Sequence, residues 1–509
     1  MNPRPDCIVI RGGLVLDAET EGDAPRPLDL LIVGDSIAEM VPRGEPFQRS
    51  LDPAGRCETI DARDRLIVPG FVNAHYHSYD VLAKGLLEDM PFDVWALHSQ
   101  PAYYGRRSKA ELRMRVLIGA IECLRNGVTT VQDMNTLVPQ DEETLDVILS
   151  AYEEVGIRVV FSIALRDIGA LDIAPFLADD TPERVWKRIQ GLDRDPKADL
   201  DFVERQIRRR GDLPDRLRWG LSPSGPQRCS RTMLEGIADL GRRHALPIFT
   251  HVYETRAQTA KARALYAAQG GSMIRWLDEV GLLGPTTTLA HCVWLSPEEM
   301  PRLRERGVSV AHNPISNMKL KSGIAPMRAM VCEGINVGLG CDNSSCGDCQ
   351  NMFQAMKAFC LLAAVAEPQP TGILARDALR AATTGGAKAL NLQDSVGALR
   401  PGLKADLAIL DLTDPAYLPL NSAMRQLVFS ESGRGVETTI VDGRIVVRNR
   451  RMTTVDEGAI RAELEELMVA FRRDFADLAA ANREATPYLL QANRRVADAD
   501  VGLERFLER

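Results

Sequence analysis

The stretch Leu66-Ile-Val-Pro-Gly-Phe-Val-Asn-Ala-His75-Tyr76-His77 decides how this chain is read. It is an apolar run that ends in two histidines two residues apart. In a strand, residues i and i+2 point to one side. Two imidazoles so placed either bind one metal ion at a strand end or are polar residues where the strand meets solvent. The run also marks a change of regime. Before it, Cys7 to Leu16, Asp29 to Val33 and Ile37 to Met40 read as short strands, the last two flanking the turn residues Gly34-Asp35. After it, strands and helices alternate.

The helix signals are local. Ser108-Lys-Ala-Glu111 is a capping-box pattern, Leu112 to Leu124 keeps an apolar face, and Gly127 suits the position just past the helix end. Short apolar runs recur at Val128 to Val131, Ile157 to Leu165, Leu217 to Leu221, Pro247 to Thr250, Thr287 to Ala290, Val308 to Ala311 and Ile335 to Gly340. With the strand before His75 they make eight. Repeated βα units in that number favour a closed parallel (β/α)8 TIM barrel, of class α/β, over an open sheet. Asp179 to Asp215 is charged and helix-prone, an elaboration after the third strand. β character returns at Ala405 to Leu410 and at Thr438 to Val447, the latter with an Asp442-Gly443 turn. Glu457 to Leu478 reads as an amphipathic helix. The expected division is therefore a small discontinuous β-sandwich from residues 1–65 and 393–450, a barrel over 66–392, and a C-terminal helical segment over 451–509.

Composition narrows the functions. With 45% hydrophobic and 26% charged residues the chain is globular. Its longest apolar stretch, about Ala358 to Ala366, is too short to cross a bilayer, and the first residues lack the apolar core of a secretory signal. The net charge of −8 disfavours a nucleic-acid partner or an anionic membrane surface. Ten cysteines without an export signal are expected to be reduced thiols of a cytoplasmic protein.

The pattern of His75 and His77 repeats at other strand ends. His251 follows Pro247 to Thr250, His291 ends Thr287 to Ala290, and Asp342 follows Ile335 to Gly340. Each alone is compatible with a structural role. Together they form a donor set suited to a hydrolytic metal site that keeps one position for water. Glu254, three residues after His251, faces the same opening if a helical turn begins there, and could shuttle protons to a substrate nitrogen; otherwise it is a solvated glutamate.

GFVNAHYHS, FTHVYE, LAHCVWL, VAHNPISNMKLKSGIAPM and GLGCDN together resemble the amidohydrolase superfamily, in its branch of triazine hydrolases and aminated-heterocycle deaminases (ATZ/TRZ-like). The likeness spans roughly Cys7 to Val447, closing with GALRPGLKADLAILD and VETTIVDGRIVV. It implies the barrel and the two-ended sandwich. It implies one divalent metal, zinc before iron or manganese, held by His75, His77, His251 and Asp342. His291 would hydrogen-bond the water or the substrate, Glu254 would carry protons, and Asp342 would also accept the proton of the water. No lysine lies on or just after Leu217 to Leu221, which matches the mononuclear type. Trp95 matches the first-loop segment, after which the pattern departs from the family's. His312, Asn317 and Asn343 are expected at the substrate, His312 and Asn317 alternatively as loop anchors. His98, Tyr103 and Tyr104 either line the entrance or pack a helix, and His244 has no assigned role. Cys341, Cys346 and Cys349 read as pocket-wall thiols rather than a separate metal or redox site. The expected activity is hydrolytic deamination of a nitrogen heterocycle. The rivals are hydrolysis of a cyclic amide, urea or carbamate, dechlorination, and a non-catalytic scaffold. A small-molecule substrate and a homo-oligomer complete the expectation.

Overall fold

A computed structural model describes residues 5–506 apart from 20–22, 50–55, 101–103, 192–193, 212, 368 and 371. Tyr103 lies outside the described residues. The first barrel strand, Phe71–His77, is buried at all seven positions, and so is its neighbour Val128–Asn135 at all eight. Burial on both faces is what a parallel sheet between two layers demands, and it explains why these strands read as unbroken apolar runs. The intervening helix Lys109–Arg125 begins as its capping signal says: the Ser108 hydroxyl accepts from the Glu111 amide at 3.1 Å. Its end passes through Gly127 at φ 75°.

The barrel strands form two parallel ladders. One joins Phe71–His77, Val128–Asn135 and Arg158–Leu165, and Leu217–Trp219 pairs with the last of these. The other runs Ile248–Val252, Thr287–His291, Ser309–His312, Asn336–Leu339. The ladders meet at two places. An isolated bridge links Leu221 to Ile248. Beyond Asn336–Leu339 the chain continues into Asp342–Asn343, which pairs with Tyr76 and His77 of the first strand. The neighbour order is that of a (β/α)8 barrel, with its hydrogen bonding interrupted at those two seams. The fourth strand is shorter than the apolar run Leu217 to Leu221 suggests. It breaks at Gly220, where a Cβ would stand 2.7 Å from the Phe249 ring.

Strands from both chain ends interleave in a nine-stranded sheet, in which Leu407–Asp411 pairs with Arg65–Pro69 and Val436–Val441. Ile8, Ile32, Ile67, Leu407 and Ile445 share one buried cluster, so this single sheet has a core of its own. A buried ion pair ties it to the barrel. The Arg158 guanidinium is held by Asp406 at 2.9 and 3.0 Å and by Asp442 at 3.0 Å. Cys7 and Cys57 are joined in a disulfide, which corrects the expectation of ten free thiols. They stand opposite each other in parallel register, with Cα atoms 4.5 Å apart. The elaboration after the third strand forms helices Leu177–Asp180, Glu183–Ile189 and Pro196–Arg209. The C-terminal segment forms Glu457–Asn482 and Thr486–Asp498. Among the described residues no helix is long and apolar enough to cross a membrane.

Candidate active site

Five side chains from four strand ends converge at one mouth of the barrel. His77 Nε2 is 3.2 Å from His75 Nε2 and 3.3 Å from His251 Nε2. Asp342 Oδ1 lies 3.5 Å from His75 Nε2 and 3.3 Å from His77 Nε2. His291 Nε2 is 3.8 Å from Asp342 Oδ2. His75, His77, His291 and Asp342 are almost wholly buried. The backbone contorts to aim two of them: Asp342 has φ 60° and His291 φ 72°, left-handed values that cost a non-glycine residue about 1–3 kcal/mol.

The second nitrogen settles the tautomer of two of the rings. His77 Nδ1 donates to the Met134 carbonyl at 2.6 Å, and His251 Nδ1 donates to the Ser224 carbonyl. A carbonyl only accepts, so Nδ1 carries the proton and Nε2 turns its lone pair inward. Burial pushes His75 down to about 4. Burial, and then the neighbouring imidazoles, hold His251 well below its usual range. Burial opposes ionisation of Asp342, but the adjoining rings of His75 and His77 outweigh it and keep the carboxyl far below the usual carboxylate range. Burial likewise opposes protonation of His77, yet the neighbouring Asp342 carboxylate raises it.

This donor set fits a divalent cation. Tetrahedral donors about 2.0–2.1 Å from a zinc ion stand about 3.3 Å apart. Four of the six pairs among His75, His77, His251 and Asp342 stand 3.2 to 3.5 Å apart. Inward lone pairs and an ionised carboxylate are the states a cation requires.

Glu254 does not begin a helical turn. It sits in the loop before helix Arg256–Leu265, whose cap is Thr255, and Tyr253 before it has φ 51°. It still faces the mouth because Gln258 holds both its ends. The Glu254 amide donates to Gln258 Oε1 at 2.8 Å, and Gln258 Nε2 donates to Glu254 Oε2 at 3.4 Å. Glu254 Oε1 lies 3.9 Å from His291 Nε2. Burial lifts its acid to about 7.

The other expected residues separate. Trp95 and Asn343 line the catalytic pocket. The Trp95 indole donates to Ser345 Oγ at 2.8 Å, and that hydroxyl donates to Asp80. Asn317 lies against His291, accepting from Nδ1 at 2.9 Å, and borders an outer groove. His312 is fully buried, packs edge-on against Phe359 and is absent from the pocket lining. His98 and Tyr104 pack under the C-terminal helix, near Phe475 and Phe471. His244 contacts Glu204 at 3.1 Å, away from the mouth. Cys346 donates to the Asn343 carbonyl and Cys349 to Gln354, both at 3.1 Å, and burial pushes the Cys349 thiol up to about 11. None of Cys341, Cys346 and Cys349 is in the pocket lining, which corrects the expectation of wall thiols. Asp93, Tyr79, Arg166, Arg228 and Gln227 also line the pocket and were not singled out from the sequence. Asp93 lies two residues before Trp95, one helical step short of a residue that was.

Residues 66–446 match the Amidohydrolase family. The chain belongs to the amidohydrolase family. A 5′-deoxyadenosine deaminase of Methanothermobacter thermautotrophicus is 34% identical over 467 residues, covering 91% of this chain and 98% of the relative. A 5-methylthioadenosine/S-adenosylhomocysteine deaminase of Thermococcus onnurineus is 32% identical, covering 83% and 90%. Among solved structures, a zinc-bound adenosine deaminase from Xanthomonas campestris aligns with TM-score 0.80 and 24% identity over 92% of this chain and 100% of that one. Atrazine chlorohydrolase from Arthrobacter aurescens, complexed with zinc, aligns with TM-score 0.79 and 24% identity over 90% and 99%. These two likenesses establish the shared fold. This amidohydrolase is a hydrolase of C–N bonds other than peptide bonds.

Proposed function

We propose that this amidohydrolase deaminates adenosine-type nucleosides carrying a modified 5′ position. Water replaces the exocyclic amine of the ring, and ammonia leaves. The relatives named for this activity match along nearly their whole length. The observation that carries the reading is the convergence of three inward imidazole nitrogens and one ionised carboxylate beside a buried acid, Glu254.

His75, His77, His251 and Asp342 would hold one divalent cation, zinc by its fit to the donor spacing. Such a cation supplies a water acidified toward neutral pH. Asp342 Oδ2, which accepts from Ser316 Oγ at 2.6 Å, takes the proton as the water attacks the amine-bearing carbon. Glu254 gives its proton to the adjacent ring nitrogen. His291 Nε2, its lone pair turned inward because Nδ1 donates to Asn317, accepts from the hydroxyl added to that carbon. The proton on Asp342 then passes to the amine, ammonia departs, and the proton left on the added oxygen returns to Glu254 as the carbonyl forms. Trp95 offers a flat face to the base, and Asn343 a polar edge beside it. Asp93, half-buried in the pocket wall, accepts from the vicinal hydroxyls of the sugar.

Ammonia release tests this on a panel of adenosine, 5′-deoxyadenosine, methylthioadenosine, S-adenosylhomocysteine, a cyclic urea and a chlorotriazine. Turnover confined to the last two compounds would overturn the reading in favour of its rivals. We further place the protein in the cytoplasm, supported by eight cysteines left free, and read it as a homo-oligomer. Leu361 and Val365 support the latter, exposed one turn apart on helix Met352–Ala366. Sedimentation of the purified protein as a monomer would refute it.

A further inference from the structure

The turn that carries Asp342 has little of the barrel's own hydrogen bonding to hold it. The eighth strand, Asn336–Leu339, stops before it, and Asp342–Asn343 pairs with the first strand at two positions only. Asp342 also stands at φ 60°, a conformation that a non-glycine residue keeps only where its surroundings hold it. Two wholly buried side-chain amides, Asn73 and Gln350, meet that turn. Asn73 Oδ1 accepts from the Cys341 amide at 2.9 Å, and Asn73 Nδ2 donates to Gln350 Oε1 at 3.0 Å. Gln350 Nε2 donates to the Asp342 carbonyl at 2.9 Å and to Ser344 Oγ at 3.2 Å.

Traced in order, these bonds close a ring. It leaves the backbone at the N–H of Cys341, passes through both side-chain amides, and returns at the C=O of Asp342. The backbone is thereby held on either side of the Asp342 Cα. The ring has a fixed polarity. A backbone N–H only donates and a carbonyl only accepts, so Asn73 presents its oxygen to Cys341 and Gln350 its nitrogen to Asp342. Asn73 lies two residues before His75 on the strand Phe71–His77. One side of the ring is therefore anchored on the strand that carries His75 and His77, and the other on Asp342, whose Oδ1 stands 3.5 and 3.3 Å from those two rings.

We propose that Asn73 and Gln350 are positioning residues, a two-amide clamp that fixes Asp342 against His75 and His77 and so raises the affinity of the site for its cation. This deepens the proposed function and rests on it, since it takes those three side chains as cation ligands. The physical case is one of preorganisation. With the clamp in place, the left-handed backbone of Asp342 is set when the chain folds. Without it, that backbone is set only when the cation arrives, and its cost is subtracted from binding. Ser316 steadies the carboxylate end of the same residue, donating to Oδ2 at 2.6 Å, but leaves the backbone to the clamp.

The test is the zinc affinity of the metal-stripped full chain, read by competition with a chromogenic chelator, beside the visible absorption of the cobalt-loaded protein. Gln350→Met keeps the side chain's length and removes its amide. It should weaken zinc binding about 10–100-fold, the worth of a group that orients a metal ligand, and change the cobalt bands. Asn73→Leu should do the same. The double variant should bind no more weakly than the worse single one, because either change opens the one ring. Gln206→Met is the control, since that buried amide donates to Glu142 at 3.0 Å outside the site. It should lower the melting temperature and leave zinc affinity as it is. A merely structural clamp would behave like this control: earlier melting with unchanged zinc affinity and cobalt bands overturns the inference. Should Gln350→Met fail to fold, Gln350→Asn keeps a polar amide one methylene short of the Asp342 carbonyl. Unchanged zinc affinity in that variant overturns the inference equally. If the wild type itself binds no zinc, the functional reading falls and takes this inference with it; if the wild type binds zinc and the variants bind it as tightly, the inference falls alone.

Discussion

Replacing Glu254 with glutamine removes one acid proton and keeps the side chain's volume. Glu254 is 3% exposed, faces His291 Nε2 at 3.9 Å, and has its acid raised by burial to about 7. Near neutral pH about half the molecules therefore hold the proton that the ring nitrogen needs. Above that, the competent fraction falls about tenfold per pH unit, which gives kcat/KM a descending alkaline limb. Glutamine cannot supply the proton, so kcat should drop by about 10²–10⁴-fold and that limb should disappear. The same burial has a consequence for stability. The folded state binds the Glu254 proton more tightly than the unfolded chain, so stability falls as pH rises from about 4.5 to about 7. Holding the group ionised above that window costs on the order of 3 kcal/mol. Glu254→Gln should therefore melt later than wild type at alkaline pH, and to the same degree as wild type at acid pH. The assays are ammonia release across the pH range and thermal melts of metal-stripped protein. A variant within about threefold of wild-type kcat, or one that keeps the alkaline limb, would refute the role argued for Glu254.

Three further outcomes are expected. Chelation should abolish turnover, and His75→Ala should lower bound metal below one ion per chain, both read by elemental analysis beside the ammonia assay. Asp406→Ala should cost about 3–5 kcal/mol of stability in a urea melt, because it strips the main partner from the buried Arg158 guanidinium; the kcat of the folded fraction should stay unchanged, since the pair lies between the barrel and the nine-stranded sheet. Ser345→Ala should free the Trp95 indole from its anchor and raise KM several-fold with little change in kcat, while shifting tryptophan fluorescence.

Periodicity and strand-end chemistry made most of the barrel legible. His75 and His77 could be placed because a strand of period two sends both rings one way, and Phe71–His77 does so. Asp342 and His291 were visible as polar residues closing apolar runs, although their left-handed backbones were not. Glu254 was reached by the wrong local geometry. No helix begins there, and a glutamine four residues on does the aiming, a contact that carries no sequence period. His312 looked like a pocket residue because it ends a strand as the others do, but the Ser309–His312 strand turns it against Phe359 instead. Asp93 was out of reach for a different reason. It reaches the pocket on helix Phe92–Ser99, whose Val94 and Leu97 pack against Leu489 and Ala492 from the far end of the chain. Cys7 and Cys57 meet through a parallel register that no local signal announces.

The placement of the donors also says why the barrel and its chemistry depend on each other. The two seams in the barrel's hydrogen bonding fall between the fourth and fifth strands and between the eighth and first. His75, His77 and Asp342 belong to one ladder, and His251 belongs to the other. At the second seam, Asp342 pairs its backbone with Tyr76 while its carboxylate reaches His75 and His77, so barrel closure and site assembly are one event. Without a cation, four polar groups face one another in a buried space, with two backbones held in left-handed strain beside them. A cation shared by His251 and the other three donors would span both ladders. Its binding energy is then available to offset that strain and to hold the ladders in register, because ligand binding to the native state alone is stabilisation. The strand ends that carry the chemistry are thus also the weakest part of the barrel's own hydrogen bonding. The loss of activity on chelation should accordingly be accompanied by a fall in melting temperature, larger than any catalytic residue outside the donor set produces.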